Sequence, residues 1–279
     1  MTEHHNTSPT VAQTVDVDQT PIAWREAGSG DVVLFLHGLG GSRMAWEPQL
    51  RFLGRSRRCV AWDMPGYGRS QPGTDPLTFT YLADSAASLL DTLGADRASV
   101  VGISMGGMIA LHLALRHPNR VTSLVLLDSS PAFGLDGTTD AGEWANLRLE
   151  PLAMGRTPAD IAPAVLRSVA GPQAPDPVID EAVAAMARIS SSGLAAAVRC
   201  LPSHDVRDRL ADIPCPTLVA VGDLDTETPP AYSRWLADGI PGARYEEIPG
   251  AGHLSNLESP NEVNSLVAGF LSATTLSSD

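Results

Sequence analysis

Apolar and polar side chains recur with two different spacings along the chain, which predict strands and helices in alternation. Residues 14–17 and 22–26 alternate between apolar and polar, as half-buried antiparallel strands do. Later runs are almost continuously apolar, which is typical of strands covered on both faces. These runs lie at 32–36, 59–62, 99–103, 123–127 and 217–221, and a further strand is predicted at 244–248.

Helical spacing of apolar residues falls between these runs. One stripe extends from Tyr81 to Leu93 and ends at Gly94. Another extends from Met108 to Leu115 and ends before Pro118. Strands that alternate with helices predict an α/β fold with a mainly parallel sheet covered on both faces.

The alternation stops between about residues 131 and 206. This stretch has Ala-rich helical segments at 161–170, 179–189 and 194–201, separated by Pro and Gly clusters, and no convincing strand. A helical insertion in an α/β sheet is typical of a lid over a site at the carboxyl ends of the strands. The alternative is a packing subdomain without a role in substrate choice. We predict a core of residues 1–130 and 207–279 and a helical lid of residues 131–206.

Charge narrows the range of partners. The chain of 279 residues has 32 acidic residues against 19 basic ones, all of them Arg, and a net charge of -13. Such a field repels phosphate backbones and argues against nucleic acid. It leaves an anionic small substrate open, because a few local Arg residues can override the average.

Several features bear on location. The three cysteines are widely scattered and follow neither a metal-ligand nor a disulfide spacing. Residues 1–6 are polar and lack the regions of a signal peptide, and the longest apolar runs are too short to cross a bilayer. We therefore predict a cytoplasmic protein without metal, cofactor or membrane partner.

The strongest chemical signal is Gly102-Ile103-Ser104-Met105-Gly106, between a predicted buried strand and a helix. A serine on so tight a turn needs a strained backbone and very small neighbours, which the two glycines provide. The turn would hold the Ser104 hydroxyl above the sheet, where the first N–H groups of the helix favour developing negative charge. We predict that Ser104 is a nucleophile.

A serine hydroxyl needs a general base to become a good nucleophile. Among the seven histidines, His253 fits this role best. It lies on a loop after the last predicted strand, with glycines nearby, where an imidazole could reach Ser104. We predict that His253 is the base.

A third residue must orient the imidazole and stabilise its charge. The loop after the strand at 217–221 contains Asp223, Asp225 and Glu227, and spacing alone does not separate the two aspartates. Asp128, after the strand at 123–127, is a rival from elsewhere in the chain.

Acyl transfer also needs donors for the oxyanion of the tetrahedral intermediate. One should be the backbone N–H of Met105, directly after the nucleophile. The other should come from the loop after the strand at 32–36, where we choose the N–H of Leu39. We expect His37, on the same loop, to be a brace and not a second base.

Together these motifs resemble those of the α/β-hydrolase superfamily. The segments that carry the resemblance are His37-Gly38-Leu39-Gly40-Gly41, the loop at 63–70, Gly102 to Gly107, Gly222-Asp223-Leu224-Asp225 and Gly252-His253. The resemblance implies an α/β-hydrolase fold with an inserted lid, and it implies Asp225 as the acid. Asp223 and Glu227 are then solvated loop charges.

The C-terminal part is similar to that of 3-oxoadipate enol-lactonases, above all at His253-Leu254-Ser255-Asn256 and the residues up to Pro260. This resemblance implies a small carboxylated lactone as substrate. Its carboxylate would need a cation near the lid, which Arg199 or Arg148 could provide. We add Trp144 as a candidate substrate contact.

The sequence thus predicts a serine hydrolase that cleaves a carboxylic ester or lactone, with that small molecule as its partner. A carbon–carbon bond hydrolase of meta-cleavage products is the enzymatic alternative, because it uses the same triad. A slow-turnover small-molecule receptor with this fold is the alternative from another class. A cofactor-free haloperoxidase is disfavoured, because Gly40 stands where such enzymes usually have Pro.

Overall fold

A single sheet runs through the computed structural model of this protein, which describes residues 12–135 and 137–276. Its strands within these residues are β1 (Thr14–Val17), β2 (Trp24–Ala27), β3 (Val32–Leu36), β4 (Arg58–Trp62), β5 (Ala98–Ile103), β6 (Val121–Leu127), β7 (Thr217–Gly222) and β8 (Arg244–Ile248). They lie in the order β1-β2-β4-β3-β5-β6-β7-β8. β2 pairs antiparallel with β1 and β4, and every other pairing is parallel. The predicted mainly parallel sheet is confirmed.

Helices cover both faces of this sheet. Outside the 131–206 stretch they are α1 (Glu47–Leu53), α2 (Phe79–Thr92), α3 (Met105–Arg116), α8 (Pro230–Gly239), α9 (Ser255–Glu258) and α10 (Pro260–Leu276). On β3, Val33 and Phe35 pack into the core with α1 and α10, whereas Leu34 and Leu36 pack into the core with α2 and α3. The strand is continuously apolar because both of its faces are buried.

Between β6 and β7 the described residues form four α-helices: α4 (Ala141–Ala153), α5 (Pro158–Val169), α6 (Asp176–Met186) and α7 (Ser191–Cys200). The last three correspond to the helical segments predicted from sequence. Helix α4 was not predicted, because it contains Pro151 and has no buried residue to produce an apolar stripe. The division into a core and a lid stays a prediction.

The structure also bears on the cysteines and on the search for membrane-spanning helices. Cys59, Cys200 and Cys215 are free thiols with buried side chains. In the part of the chain that the structure describes, no helix has both the length and the apolar character needed to cross a membrane. The polar segment 1–6 lies outside the described residues, and the cytoplasmic location stays a prediction.

Candidate active site

Ser104 lies on a sharp turn between the end of β5 and the start of α3. Its backbone has φ 54° and ψ -125°, a left-handed conformation that side chains rarely adopt. A Cβ atom at Gly102 would collide with the carbonyl oxygen of Gly106, and one at Gly106 would collide with that of Leu36. Backbone segments touch at both positions, so the turn requires glycine there, as the sequence pattern indicated.

Three side chains predicted to work together lie in one hydrogen-bonded line. The Nε2 atom of His253 is 2.8 Å from the Oγ atom of Ser104. On the other side of the ring, Nδ1 is 2.8 Å from Oδ2 of Asp225. An Nδ1–H that donates to the Asp225 carboxylate leaves the Nε2 lone pair directed at the Ser104 hydroxyl.

Asp225 is held in place by its own loop. Its Oδ1 atom accepts hydrogen bonds from the backbone N–H groups of Glu227 (2.8 Å) and Thr228 (3.1 Å), and its Oδ2 atom accepts one from the Thr228 hydroxyl (2.8 Å). Burial opposes ionisation, but the attraction of His253 and these bonds outweigh it and hold the pKa of Asp225 below its usual value. Sequence reasoning gave Thr228 no role in holding Asp225, although an aspartate followed by such a residue at a turn often forms local bonds of this kind.

Neither rival carboxylate forms a hydrogen bond with the imidazole. Asp223 is exposed and accepts a hydrogen bond from the Gly250 N–H (2.7 Å). Asp128 is buried, with one oxygen accepting from the Gly222 N–H (2.8 Å) and the other from the Ser255 hydroxyl. Burial, and then repulsion from Asp225, raise the pKa of Asp128 to about 7. Asp128 thus connects the end of β7 to the loop that carries His253.

His253 is surrounded by negative charge. Burial disfavours its protonated form, but attraction to Asp225, their hydrogen bond, and the charges of Asp128 and Glu227 outweigh this effect. The pKa of His253 is therefore raised above its usual value. An imidazole in this setting readily holds a proton taken from a hydroxyl group.

The candidate oxyanion donors are beside Ser104. Met105 is the first residue of α3, where backbone N–H groups lack partners within the helix. A Cβ atom at Gly38 would lie 3.0 Å from the Cβ of Ser104, so the loop that contains Leu39 passes against the serine. His37 fixes this loop, because its ring contacts the Gly38 carbonyl oxygen (2.9 Å) and accepts from the Met64 N–H (3.0 Å).

A cavity of about 600 Å³ opens above Ser104 and His253. Apolar side chains from α3 and from the helices of the 131–206 stretch line much of it, among them Met108, Ile161, Leu166, Met186, Leu194 and Val198. Its polar lining includes hydroxyl groups such as those of Ser130 and Thr228.

The predicted substrate-contacting residues divide into two groups. Trp144 and Arg148 on α4 both line the cavity, and the Arg148 guanidinium lies 4.1 Å from the centre of the Trp144 ring. Arg199 is exposed on α7 and is not among the residues that line the cavity. Glu227 is exposed, as expected of a solvated loop charge, and it also lines the cavity, 3.6 Å from Arg148.

No group of three or more His, Cys, Asp or Glu side chains is arranged to hold a metal ion within residues 12–135 and 137–276.

A comparison of the sequence with known protein families agrees with this geometry. A family model for the α/β hydrolase fold matches residues 31–260. The chain belongs to the α/β hydrolase family. The resemblance inferred from the motifs is therefore confirmed, together with the fold, and the protein is an enzyme of the hydrolase class.

Individual α/β hydrolases resemble this chain over most of its length. A Mycobacterium tuberculosis relative named "Putative non-heme bromoperoxidase BpoC" is 32% identical over 90% of this chain and 98% of its own. The 3-oxoadipate enol-lactonase 1 of Acinetobacter baylyi is 30% identical over 86% of this chain and 88% of its own. The structure of a thermophilic esterase from Thermogutta terrifontis superimposes with a TM-score of 0.83 and 29% identity, covering 94% of this chain and 99% of the esterase.

Proposed function

We propose that this protein is a serine hydrolase that cleaves a carboxylic ester or lactone with Ser104, His253 and Asp225. The contact of 2.8 Å between His253 Nε2 and Ser104 Oγ carries the proposal, because it joins a base to a strained and otherwise unreactive hydroxyl. The similarity to an enol-lactonase and an esterase supports the substrate class.

In the first half of the reaction, Ser104 Oγ attacks the carbonyl carbon while His253 Nε2 takes its proton. The carbonyl electron pair moves to oxygen, where the N–H groups of Met105 and Leu39 stabilise the negative charge. When the intermediate collapses, the bond from carbon to the alcohol oxygen breaks. His253 then gives its proton to that oxygen, which in a lactone stays attached to the acyl group.

In the second half, water attacks the acyl group on Ser104. His253 takes a proton from the water, a second tetrahedral intermediate forms, and its collapse returns the proton to Ser104 Oγ. Asp225 keeps the imidazole in one tautomer throughout and stabilises the imidazolium in each half.

The proposal includes the division of the chain at residues 131–206. These residues would act as a lid, since α4, α5, α6 and α7 all contribute side chains to the cavity above Ser104. The apolar character of these contributions suits the acyl or alcohol part of an ester.

The test is covalent labelling with a fluorophosphonate, followed by peptide mass spectrometry and ester hydrolysis assays. We expect one phosphonylated residue, Ser104, and a loss of about 10⁶ in kcat on a 4-nitrophenyl ester in Ser104→Ala. Ser265→Ala, which removes an exposed hydroxyl on α10, serves as the matched control and should keep full activity. Labelling elsewhere, or a loss under about tenfold in Ser104→Ala, would contradict the proposal.

A further inference from the structure

Few charged side chains line the cavity above Ser104, apart from the hydrogen-bonded line of Ser104, His253 and Asp225. Within the described part of the chain, two charged side chains line it besides His253: Arg148 and Glu227. Arg148 Nη2 lies 3.6 Å from a carboxylate oxygen of Glu227, so this arginine already has an anionic partner. About a third of each side chain is exposed, which keeps both within reach of a bound substrate.

Arg148 is further fixed by aromatic side chains. Its guanidinium carbon lies 4.1 Å from the centre of the Trp144 ring, and the Trp144 ring meets Phe133 edge to face at 5.1 Å. Stacking of this kind restricts the guanidinium to one plane and one direction. Arg148 is therefore held near Glu227, and a substrate carboxylate would compete with Glu227 for its positive charge.

Glu227 is also bonded to Asp225, the acid of the proposed triad. It lies two residues after Asp225, and its backbone N–H donates to Asp225 Oδ1 at 2.8 Å. Its carboxylate adds to the negative charge that His253 experiences. Among the described lining residues, a substrate carboxylate that enters the cavity would meet like charge and no free cation.

We propose that Glu227 is a specificity-determining residue, which reserves the site for uncharged esters and lactones by neutralising Arg148 and repelling a substrate carboxylate. This inference rests on the proposed function and sharpens its substrate class. It departs from the sequence-based expectation that Arg148 or Arg199 would bind a carboxylated lactone.

The experiment uses two esters that differ at one end only: 4-nitrophenyl valerate, which ends in a methyl group, and mono-4-nitrophenyl glutarate, which ends in a carboxylate. The measured quantity is the ratio of kcat/KM for glutarate to that for valerate on one preparation, so the amount of folded enzyme cancels. We expect the wild type to favour valerate at least about tenfold, and Glu227→Gln to raise the ratio about tenfold, because one like charge is gone and Arg148 is freed. Glu150→Gln removes an exposed carboxylate from α4, outside the cavity, and should leave the ratio unchanged.

A double-mutant cycle tests the part played by Arg148. If the gain in Glu227→Gln comes from a freed guanidinium, the added change Arg148→Gln should remove most of it. Equal use of both esters by the wild type, or an unchanged ratio in Glu227→Gln, would overturn the inference while leaving a Ser104-dependent hydrolase intact. Hydrolysis that survives in Ser104→Ala, or no hydrolysis of either ester by the wild type, would instead overturn the proposed function and this inference with it.

Discussion

The Nε2 atom of His253 lies 2.8 Å from the hydroxyl oxygen of Ser104, although 149 residues separate them in sequence. Two strands make this possible, because β5 ends just before Ser104 and β8 ends just before the loop of His253. The carboxyl ends of parallel strands meet at one edge of a sheet, so two distant loops converge there. A change to the sheet edge or to either loop should therefore affect the contact.

The identity of the acid can be tested by comparing two conservative substitutions. Asp225→Asn should lower kcat on a 4-nitrophenyl ester by about 10⁴, because the amide no longer fixes the productive imidazole tautomer. Asp128→Asn should cost less than about tenfold, because an amide can still accept from the Gly222 N–H and contact the Ser255 hydroxyl. Steady-state kinetics at one pH decides the matter, and a larger loss in Asp128→Asn than in Asp225→Asn would reverse the assignment.

The pH dependence of Ser104 reactivity should report the charge around His253. His253 must lose its proton before it can accept one from Ser104, and its pKa is raised above the ordinary value of 6.5. The rate of fluorophosphonate labelling should therefore rise with pH along a limb centred above pH 6.5. In Glu227→Gln the limb should move to lower pH, because one of the charges that favour the imidazolium is removed. A limb at or below pH 6.5 in the wild type would contradict this account.

Local sequence patterns predicted much of the fold and the Ser104 turn. The strand β3 was recognisable because both of its faces are buried, and the turn because Gly102 and Gly106 allow backbones to touch. Helix α4 escaped prediction because its side chains cover the cavity without being buried themselves, and because Pro151 interrupts the pattern.

The features of the site that the sequence did not predict depend on contacts between distant segments. Spacing left Asp223 and Asp225 equivalent, and the structure separates them by their partners, since only Asp225 contacts His253. The pairing of Glu227 with Arg148 was not predicted, because Arg148 lies on the helix that was not predicted. Sequence periodicity contains no information on such a pairing.

The Ser104 turn should tolerate no side chain at Gly106. In Gly106→Ala the added methyl group would overlap the carbonyl oxygen of Leu36, in a packed region where backbone cannot easily give way. We expect a loss of about 3 kcal/mol in the free energy of unfolding, measured in urea. Gly269→Ala on α10 is the matched control, because its methyl group would meet no atom within 4 Å and should stabilise the helix by about 0.5–1 kcal/mol. Equal stability of Gly106→Ala and the wild type would show that the backbone contact is not restrictive.

A histidine pair, with the His204 ring buried and the His112 ring half-buried, should make the protein sensitive to acid. His112 Nε2 lies 3.2 Å from His204 Nδ1, and His204 Nε2 lies 2.9 Å from the Ser130 carbonyl oxygen. Burial, and then Arg116, lower the pKa of His112 to about 4, and burial is also the main cause that lowers the pKa of His204 to about 3.

Both pKa values are lower in the folded protein than in the unfolded chain, which therefore binds more protons below pH 6.5. The contribution of these histidines to the free energy of unfolding should be fully present above pH 6.5. As the pH falls below 6.5, the free energy of unfolding should decrease by about 1.4 kcal/mol per pH unit while one imidazole titrates. In His112→Gln the slope of unfolding free energy between pH 6.5 and pH 4.5 should be shallower, because one of the two groups no longer takes up a proton. Parallel slopes in His112→Gln and the wild type would mean that this histidine pair does not cause the acid sensitivity.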